Sequence, residues 1–122
     1  MHSKKTLVLG ASPNPVRYSN IATIRLRMYG HEVIPLGIRK GSIDGLDIEL
    51  EPSEWDDVDT VTLYMNPSRQ EPFYPYILDT IKPKRIIFNP GTENDELKQM
   101  AEEKGIECVY ACTLVMLSVD SY

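Results

Sequence analysis

Short apolar runs alternate with amphipathic segments along the whole chain. Runs of four to six residues rich in β-favouring side chains predict buried strands, and turn-forming residues follow most of them. Between the strands, apolar residues recur at three- and four-residue spacing, which predicts helices. The predicted strands are 6–9, 32–36, 60–65, 85–88 and 106–110, and the predicted helices begin at Ser19, near Pro72, after Thr92 and at Thr113.

The helix faces can also be assigned from spacing. In the first helix, Ile21, Ile24 and Met28 fall on one side, which is predicted to face the core, with Ala22, Leu26 and Tyr29 beside them. Gly30 is placed to end that helix, whereas Ser19 is the expected N-cap. In the helix after Thr92, the residues expected to face inward are Leu97, Met100 and Ala101. The stretch 37–58 is predicted to be a loop because glycine and proline interrupt it.

Strands that alternate with helices are typical of a parallel sheet covered on both faces. We therefore predict a single α/β domain over residues 1–122. Its Rossmann-like fold has a mostly parallel five-stranded sheet with helices on both faces. Ligands of such folds bind beyond the carboxyl ends of the strands. Here those ends are followed by residues 10–15, 35–40, 66–68, 89–92 and 111–113.

Charge is distributed unevenly along the 122 residues, whose net charge is −5. Residues 1–40 hold seven basic residues and one acid, Glu32, which gives that segment a net charge of +6. The remaining residues carry −11. An acidic chain argues against a nucleic-acid-binding protein. A small anionic partner is therefore expected to bind the first third.

Other protein classes are disfavoured by simple features. No apolar run approaches the roughly 20 residues of a membrane span, and the apolar stretch near the N-terminus is too short for a signal peptide. We therefore expect a cytoplasmic protein with no membrane partner. Cys108 and Cys112 are four residues apart, and a cytosolic pair of this kind is expected to be reduced and buried.

The turn after the first strand is a candidate anion site. Gly10, Ala11 and Ser12 begin it, and Asn14, Arg17, Tyr18 and Ser19 carry it into the first helix. A helix N-terminus offers free N–H groups and a positive dipole to a phosphate, and arginine adds a bidentate donor. The dinucleotide fingerprint GxGxxG is incomplete here. The helix after Thr92 instead begins with several acids, which would repel a phosphate.

The end of the second strand carries cations where a site for NAD would carry an acid. Arg39 and Lys40 follow Pro35 without any Asp or Glu between them. This pattern favours an adenosine with an additional phosphate on its ribose. Coenzyme A, with a 3′-phosphate, and NADP, with a 2′-phosphate, both fit.

The order of these motifs resembles a known family. Residues 6–12 (TLVLGAS), then Arg17-Tyr18-Ser19 and then Val33-Ile34-Pro35 are similar to the small stand-alone CoA-binding proteins. These in turn resemble the CoA-binding domain of the succinyl-CoA synthetase α subunit. Asn66-Pro67 and Pro90-Gly91 match the same pattern, so the resemblance covers nearly the whole chain.

The resemblance implies a role for each matching residue. Gly10, Ala11, Ser12, Arg17 and Ser19 would hold the diphosphate of CoA. Pro35 and the loop after it would hold the adenine, with Arg39 or Lys40 near the 3′-phosphate. The pantetheine path would be lined by Asn66, Pro67, Pro90 and Gly91.

Catalytic groups are scarce. His2 is expected in a frayed terminus and His31 in a surface turn, so neither is a candidate acid or base. No two residues have zinc-ligand spacing.

We therefore interpret the chain as a binding module without catalysis of its own. The alternatives are an NADP-linked oxidoreductase, one component of a two-chain acyl-CoA ligase, and an interaction module. A homodimer through Leu114–Val119 and a redox role for a cysteine stay open.

Overall fold

A computed structural model describes residues 3–122; His2 lies outside the described residues. The strands are β1 (Thr6–Ala11), β2 (Val33–Gly37), β3 (Ser42–Ile43), β4 (Leu46–Asp47), β5 (Thr60–Leu63), β6 (Arg85–Phe88) and β7 (Glu107–Tyr110). The helices are α1 (Tyr18–Met28), α2 (Pro67–Gln70), α3 (Asp95–Glu103) and α4 (Thr113–Ser118), and α2 continues through a 3₁₀ turn (Glu71–Phe73) into a π-helix (Tyr76–Ile81). No described helix is long and apolar enough to cross a membrane.

Five strands form one sheet in the order β2-β1-β5-β6-β7, and every pair in it is parallel. The predicted Rossmann-like α/β fold is confirmed. Strand β2 follows β1 in the chain and lies on one side of it, whereas the later strand β5 lies on the other side of β1. The connections therefore diverge between β1 and β5, which makes a crevice at the carboxyl ends of these two strands.

Apolar side chains cover both faces of the sheet. On one face, Leu7 and Leu9 of β1 pack with Ile77 of the π-helix and Leu97 of α3. On the other, Val8 packs with Leu26 of α1 and Leu117 of α4. Strands β1, β2, β5 and β6 are buried along nearly their whole length, which explains why they are continuous apolar runs in the sequence, whereas the edge strand β7 is partly exposed.

Helix α1 is rotated relative to the predicted orientation, because Ile24 packs against the core as predicted but Met28 does not. Met28 is 73% exposed, while Ser19, Ala22, Thr23 and Leu26 are buried. The buried face thus has the helical spacing i, i+3, i+4 and i+7 but consists mainly of small or hydroxyl side chains. The Thr23 hydroxyl donates to the Ser19 carbonyl at 2.8 Å, which satisfies it in the core. The N-cap is Arg17, two residues before the predicted N-cap Ser19, and its side chain makes no capping bond.

Residues 37–58 include a β-hairpin that the loop prediction missed. β3 and β4 pair antiparallel across Asp44 and Gly45, whose φ values are 51° and 83°. An Asp-Gly pair between apolar residues is a strong hairpin signal because both residues accept positive φ. The hairpin buries Ile43 against the α1 side of the sheet.

The helical connection between β5 and β6 starts earlier than predicted. The Asn66 side chain accepts from the Arg69 N–H at 3.1 Å and caps a helix that begins at Pro67 rather than near Pro72. Pro72 and Pro75 lack the N–H groups that a regular α-helix would need, so the connection changes to 3₁₀ and π geometry.

Helix α3 begins at Asp95, and its N-cap is Asn94 rather than Thr92. The Asn94 side chain accepts from the Leu97 N–H at 3.1 Å, whereas the Thr92 hydroxyl donates to the Asn89 carbonyl. Leu97 and Ala101 are fully buried, as predicted, but Met100 is 37% exposed. Its predicted inward orientation is wrong because the narrow buried stripe of this amphipathic helix excludes it.

His31 is buried near the amino ends of β1 and β2, so its predicted position at the surface is wrong. Its Nδ1 accepts the backbone N–H of Lys4 at 2.9 Å, and its ring packs against Tyr122 with centroids 4.9 Å apart. Burial, with help from the cations Lys4 and Arg85, lowers the pKa of His31 below 6.5, while Asp59 acts in the opposite direction.

The free energy of unfolding is expected to fall as the pH drops below 6.5. The unfolded chain binds a proton on His31 near its ordinary pKa, but the folded chain resists protonation, so acid favours unfolding. This group contributes a slope of at most ~1.4 kcal/mol per pH unit, present between pH 6.5 and the lower folded pKa. Denaturant melts of the wild type and His31→Gln between pH 5 and 8 measure it. An identical pH slope in both proteins would contradict this role of His31.

Candidate functional site

A cavity of about 460 Å³ opens at the carboxyl edge of the sheet, at the divergence between β1 and β5. Its volume lies in the range of small-molecule sites. The turns after β1, β2, β5 and β6 all contribute to it, although they are far apart in sequence. The predicted site residues that line it are Gly10, Ala11, Ser12, Asn14, Arg17, Tyr18, Ser19, Arg39, Asn66, Pro90 and Gly91.

Pro35, Lys40 and Pro67 do not line the cavity. Pro35 pairs with Val8 inside β2, and the strand continues for two further residues, so Pro35 lies below the edge where ligands would bind. Lys40 is exposed next to Arg39 but outside the cavity wall. Pro67 occupies the first position of α2, where it starts the helix.

Two glycines let the strand ends approach closely at the cavity floor. Gly10 has a φ of 102°, and a Cβ there would lie 3.0 Å from the carbonyl carbon of Tyr64. At Gly37, a Cβ would lie only 2.2 Å from the carbonyl oxygen of Ala11. Side chains at these positions would separate β1 from its two neighbours, so the shape of the cavity depends on both glycines.

Hydrogen bonds fix the turn between β1 and α1. Asn14 is central to it: its side chain accepts from the Val16 N–H at 3.1 Å, and its carbonyl accepts from the Arg17 N–H at 3.1 Å. The buried side chain of Asn20 donates to the Ser12 carbonyl at 2.9 Å. The turn is therefore preorganised, which reduces the entropy lost when a ligand binds.

The N-terminus of α1 is open to a ligand. Arg17 provides no side-chain cap, and the first turn contains no acid. The first N–H groups of a helix have no partner within it. Here they belong to Tyr18 and Ser19, and both residues line the cavity. This helix end can therefore donate to an anion in the cavity, as the sequence predicted.

Helix α3 offers the contrast that the sequence predicted. Asp95 and Glu96 occupy its first turn. Glu93 folds back so that its carboxylate accepts the Gly91 N–H at 2.9 Å. These carboxylates already interact with the positive end of the helix dipole and with the Gly91 N–H, so this helix end does not attract an anionic ligand.

All the charged residues that line the cavity are cationic. Arg17, Arg39 and Arg69 contribute to it, and no Asp or Glu does. Within residues 3–122, these arginines form no ion pair. A chain with a net charge of −5 thus holds unpaired positive charge in the crevice at the strand ends. This arrangement favours a ligand with more than one anionic group.

Gln70 joins the two loops at the β5–β6 side of the cavity. Its fully buried side chain donates to the carbonyls of Met65 and Thr92 at 2.9 and 2.8 Å and accepts from Asn94 at 2.9 Å. Asn94 also donates to the Tyr74 hydroxyl at 2.8 Å. Every polar atom of Gln70 is therefore satisfied, which fixes the separation of the two loops.

Several lining residues were missed from the sequence. They are Leu9, Leu36, Gly37, Ile38, Leu50, Pro52, Tyr64, Met65, Arg69, Phe73 and Thr92. Arg69 carries the signal that could have identified it, because it lies three residues after the helix-capping Asn66 at a strand end. The loop residues Leu50 and Pro52 follow no strand of the main sheet, so strand ends alone could not have indicated them.

The cavity contains few catalytic groups. No histidine or cysteine lines it. Residues 3–122 hold no cluster of His, Cys, Asp and Glu that could bind a metal ion. Cys108 and Cys112 are free, as expected, but half-buried rather than buried. Burial raises the pKa of the Cys108 thiol to about 11, which leaves it a weak nucleophile near neutral pH.

Comparisons with known proteins agree with this geometry. A family model described as a CoA binding domain matches residues 4–118. The crystal structure of an uncharacterized protein has 52% identity and a TM-score of 0.97, with full coverage of both chains. A hypothetical protein from Pyrococcus horikoshii OT3 has 24% identity and a TM-score of 0.85, covering 97% of this chain and 84% of its own. No curated protein matches the chain.

Proposed function

We propose that this chain, which belongs to the CoA-binding domain family, binds coenzyme A or an acyl-CoA in the cavity at the carboxyl ends of β1 and β5. The observation that carries the proposal is the acid-free lining with its unpaired arginines beside the open N-terminus of α1. CoA has a diphosphate and a separate 3′-phosphate, so it needs cations at two places in one site. The cavity supplies them from different turns.

The diphosphate is assigned to the end of β1 and the turn that follows it. Gly10, Ala11 and Ser12 present backbone close to the ligand, while Tyr18 and Ser19 present the free N–H groups of α1. Arg17 adds a charged donor. The pantetheine arm would then run past Asn66 towards Pro90 and Gly91. These lining residues are uncharged, which suits a neutral chain.

The proposal includes no reaction catalysed by this chain alone. Acyl or phosphoryl transfer through the protein would require a nucleophile or general base within hydrogen-bond reach of the ligand. His31 lies at the opposite edge of the sheet, where its Nδ1 is bonded to Lys4. A carrier, a sensor or a subunit that presents CoA to a partner fits these residues better than an enzyme. We expect such a protein to work in the cytoplasm.

An NADP-linked oxidoreductase is the second candidate. Arg39 at the end of β2, with no acid there, is equally suited to a 2′-phosphate on the ribose. A component of a two-chain acyl-CoA ligase would use the same CoA site but would take its catalytic groups from a partner. The oxidoreductase would bind NADP, whereas the CoA-binding module and the ligase component would both bind CoA.

Mass spectrometry of small molecules released from the denatured, natively purified chain tests the proposal. We expect CoA or an acyl-CoA, and calorimetry should then show that CoA binds more tightly than NADPH. Release of NADP with no heat from CoA would support the oxidoreductase instead. Neither a released nucleotide nor heat from either cofactor would count against both candidates.

A further inference from the structure

One end of the cavity is apolar and lies beside the loop that follows the hairpin. Leu50 and Pro52 come from this loop, and Phe73 comes from the 3₁₀ turn after α2. The Tyr76 hydroxyl donates to the Ser53 carbonyl at 2.7 Å, which ties the loop to the helical connection. Since Leu36 at the end of β2 also lines the cavity, this apolar end lies on the β2 side of the site.

Arg69 adjoins this apolar end. It lies four residues before Phe73 in a nearly continuous helical stretch, and positions four apart in a helix lie on the same side. Both residues line the cavity. Arg69 is exposed, and it forms no ion pair within the described part of the chain. Its backbone is held in place by the Asn66 cap.

The cationic groups of the cavity can then be assigned to the diphosphate and to the 3′-phosphate of CoA. Arg17 and the N-terminus of α1 serve the diphosphate at the end of β1. Of the two cations that the sequence assigned to the 3′-phosphate, only Arg39 lines the cavity, because Lys40 lies outside it. An apolar end next to Arg39 and Arg69 is the chemistry that an adenine ring with a phosphate on its ribose requires.

We propose that Arg69 is a specificity-determining residue that binds the ribose 3′-phosphate together with Arg39. This inference rests on the proposed CoA function and refines it. The two arginines come from different elements, Arg39 from the loop after β2 and Arg69 from helix α2. A nucleotide without the ribose phosphate would leave both of them without a partner.

Calorimetry with CoA and 3′-dephospho-CoA tests the inference in the wild type, Arg69→Gln, Arg39→Gln and Arg25→Gln. Losing a charged hydrogen bond should weaken CoA binding about 10–100-fold in the first two variants. Their affinity for dephospho-CoA should stay within about twofold of the wild type, because its missing phosphate is the group they bind. Arg25 is exposed in the last turn of α1, away from the cavity, so Arg25→Gln should bind both ligands normally.

Two outcomes would overturn the role of Arg69 while leaving CoA binding intact. An equal loss for both ligands in Arg69→Gln would place this arginine on the diphosphate. Wild-type protein that binds both ligands equally would show that the 3′-phosphate is not recognised. If the wild type binds neither ligand, the proposed function itself fails. Partial recovery of the CoA preference in Arg69→Lys would support a charge contact with the 3′-phosphate.

Discussion

Gly37→Ala is expected to lower the melting temperature by roughly 10 °C and to weaken CoA binding more than tenfold. The new Cβ would lie 2.2 Å from the Ala11 carbonyl oxygen, a distance that no packing adjustment of a flexible side chain can relieve. The ends of β1 and β2 would have to separate. Overpacking of this kind costs about 1–3 kcal/mol, and ~1 kcal/mol lowers the melting temperature by several degrees in a chain of this size.

The binding loss follows because Ala11 and Gly37 both line the cavity. Gly30→Ala is the matched control: Gly30 has a φ of 88°, but a Cβ there meets nothing within 4 Å. That variant should lose about 1–2 kcal/mol through backbone strain alone and should retain its CoA affinity. Thermal melts and calorimetry on both variants separate the effects. Normal binding by Gly37→Ala would contradict the described floor of the cavity.

Arg17→Gln is expected to weaken CoA binding about 10–100-fold with little change in stability. The loss corresponds to ~1.5–3 kcal/mol for a charged hydrogen bond to the diphosphate. The Arg17 side chain is exposed and caps nothing, so folding does not depend on it. Calorimetric titrations with CoA and with dephospho-CoA measure the effect.

Both ligands carry the diphosphate, so Arg17→Gln should reduce both affinities by the same factor. This result would distinguish Arg17 from Arg69, whose loss should affect CoA selectively. Arg25→Gln, on the same helix but outside the cavity, again serves as the control. An Arg17→Gln variant with wild-type affinity for both ligands would remove the diphosphate from the turn after β1.

The sequence predicted 11 of the 22 residues that line the cavity, because the fold brings short motifs from distant parts of the chain together. Gly10, Asn66 and Pro90 are far apart in the chain, yet each lies at or shortly after the carboxyl end of a strand of one parallel sheet. Such strands end at one edge, so assigning the strands was enough to bring these residues together. Membership of the CoA-binding domain family confirms the resemblance on which their roles were based.

The errors arose where hydrophobicity alone was used to orient or bound an element. The buried face of α1 contains Ser19 and Thr23, which can lie in the core because Thr23 bonds the helix backbone. Spacing of large apolar residues therefore selected Met28 wrongly. A polar residue in a turn usually lies at the surface, so the sequence predicts a surface position for His31. Its partner Tyr122 is 91 residues away, and local sequence cannot show that contact.

The central claim is that CoA binds at the carboxyl edge of β1 and β5, and backbone amide chemical shifts during a CoA titration test it most directly. We expect the largest shifts at the N–H groups of Gly10, Ala11, Ser12, Tyr18 and Ser19, all in the cavity wall. A second cleft on the described surface, bordered by Lys82, Lys84 and Lys104, should remain unchanged. Shifts confined to that lysine-bordered cleft, or no shifts at saturating CoA, would contradict the account.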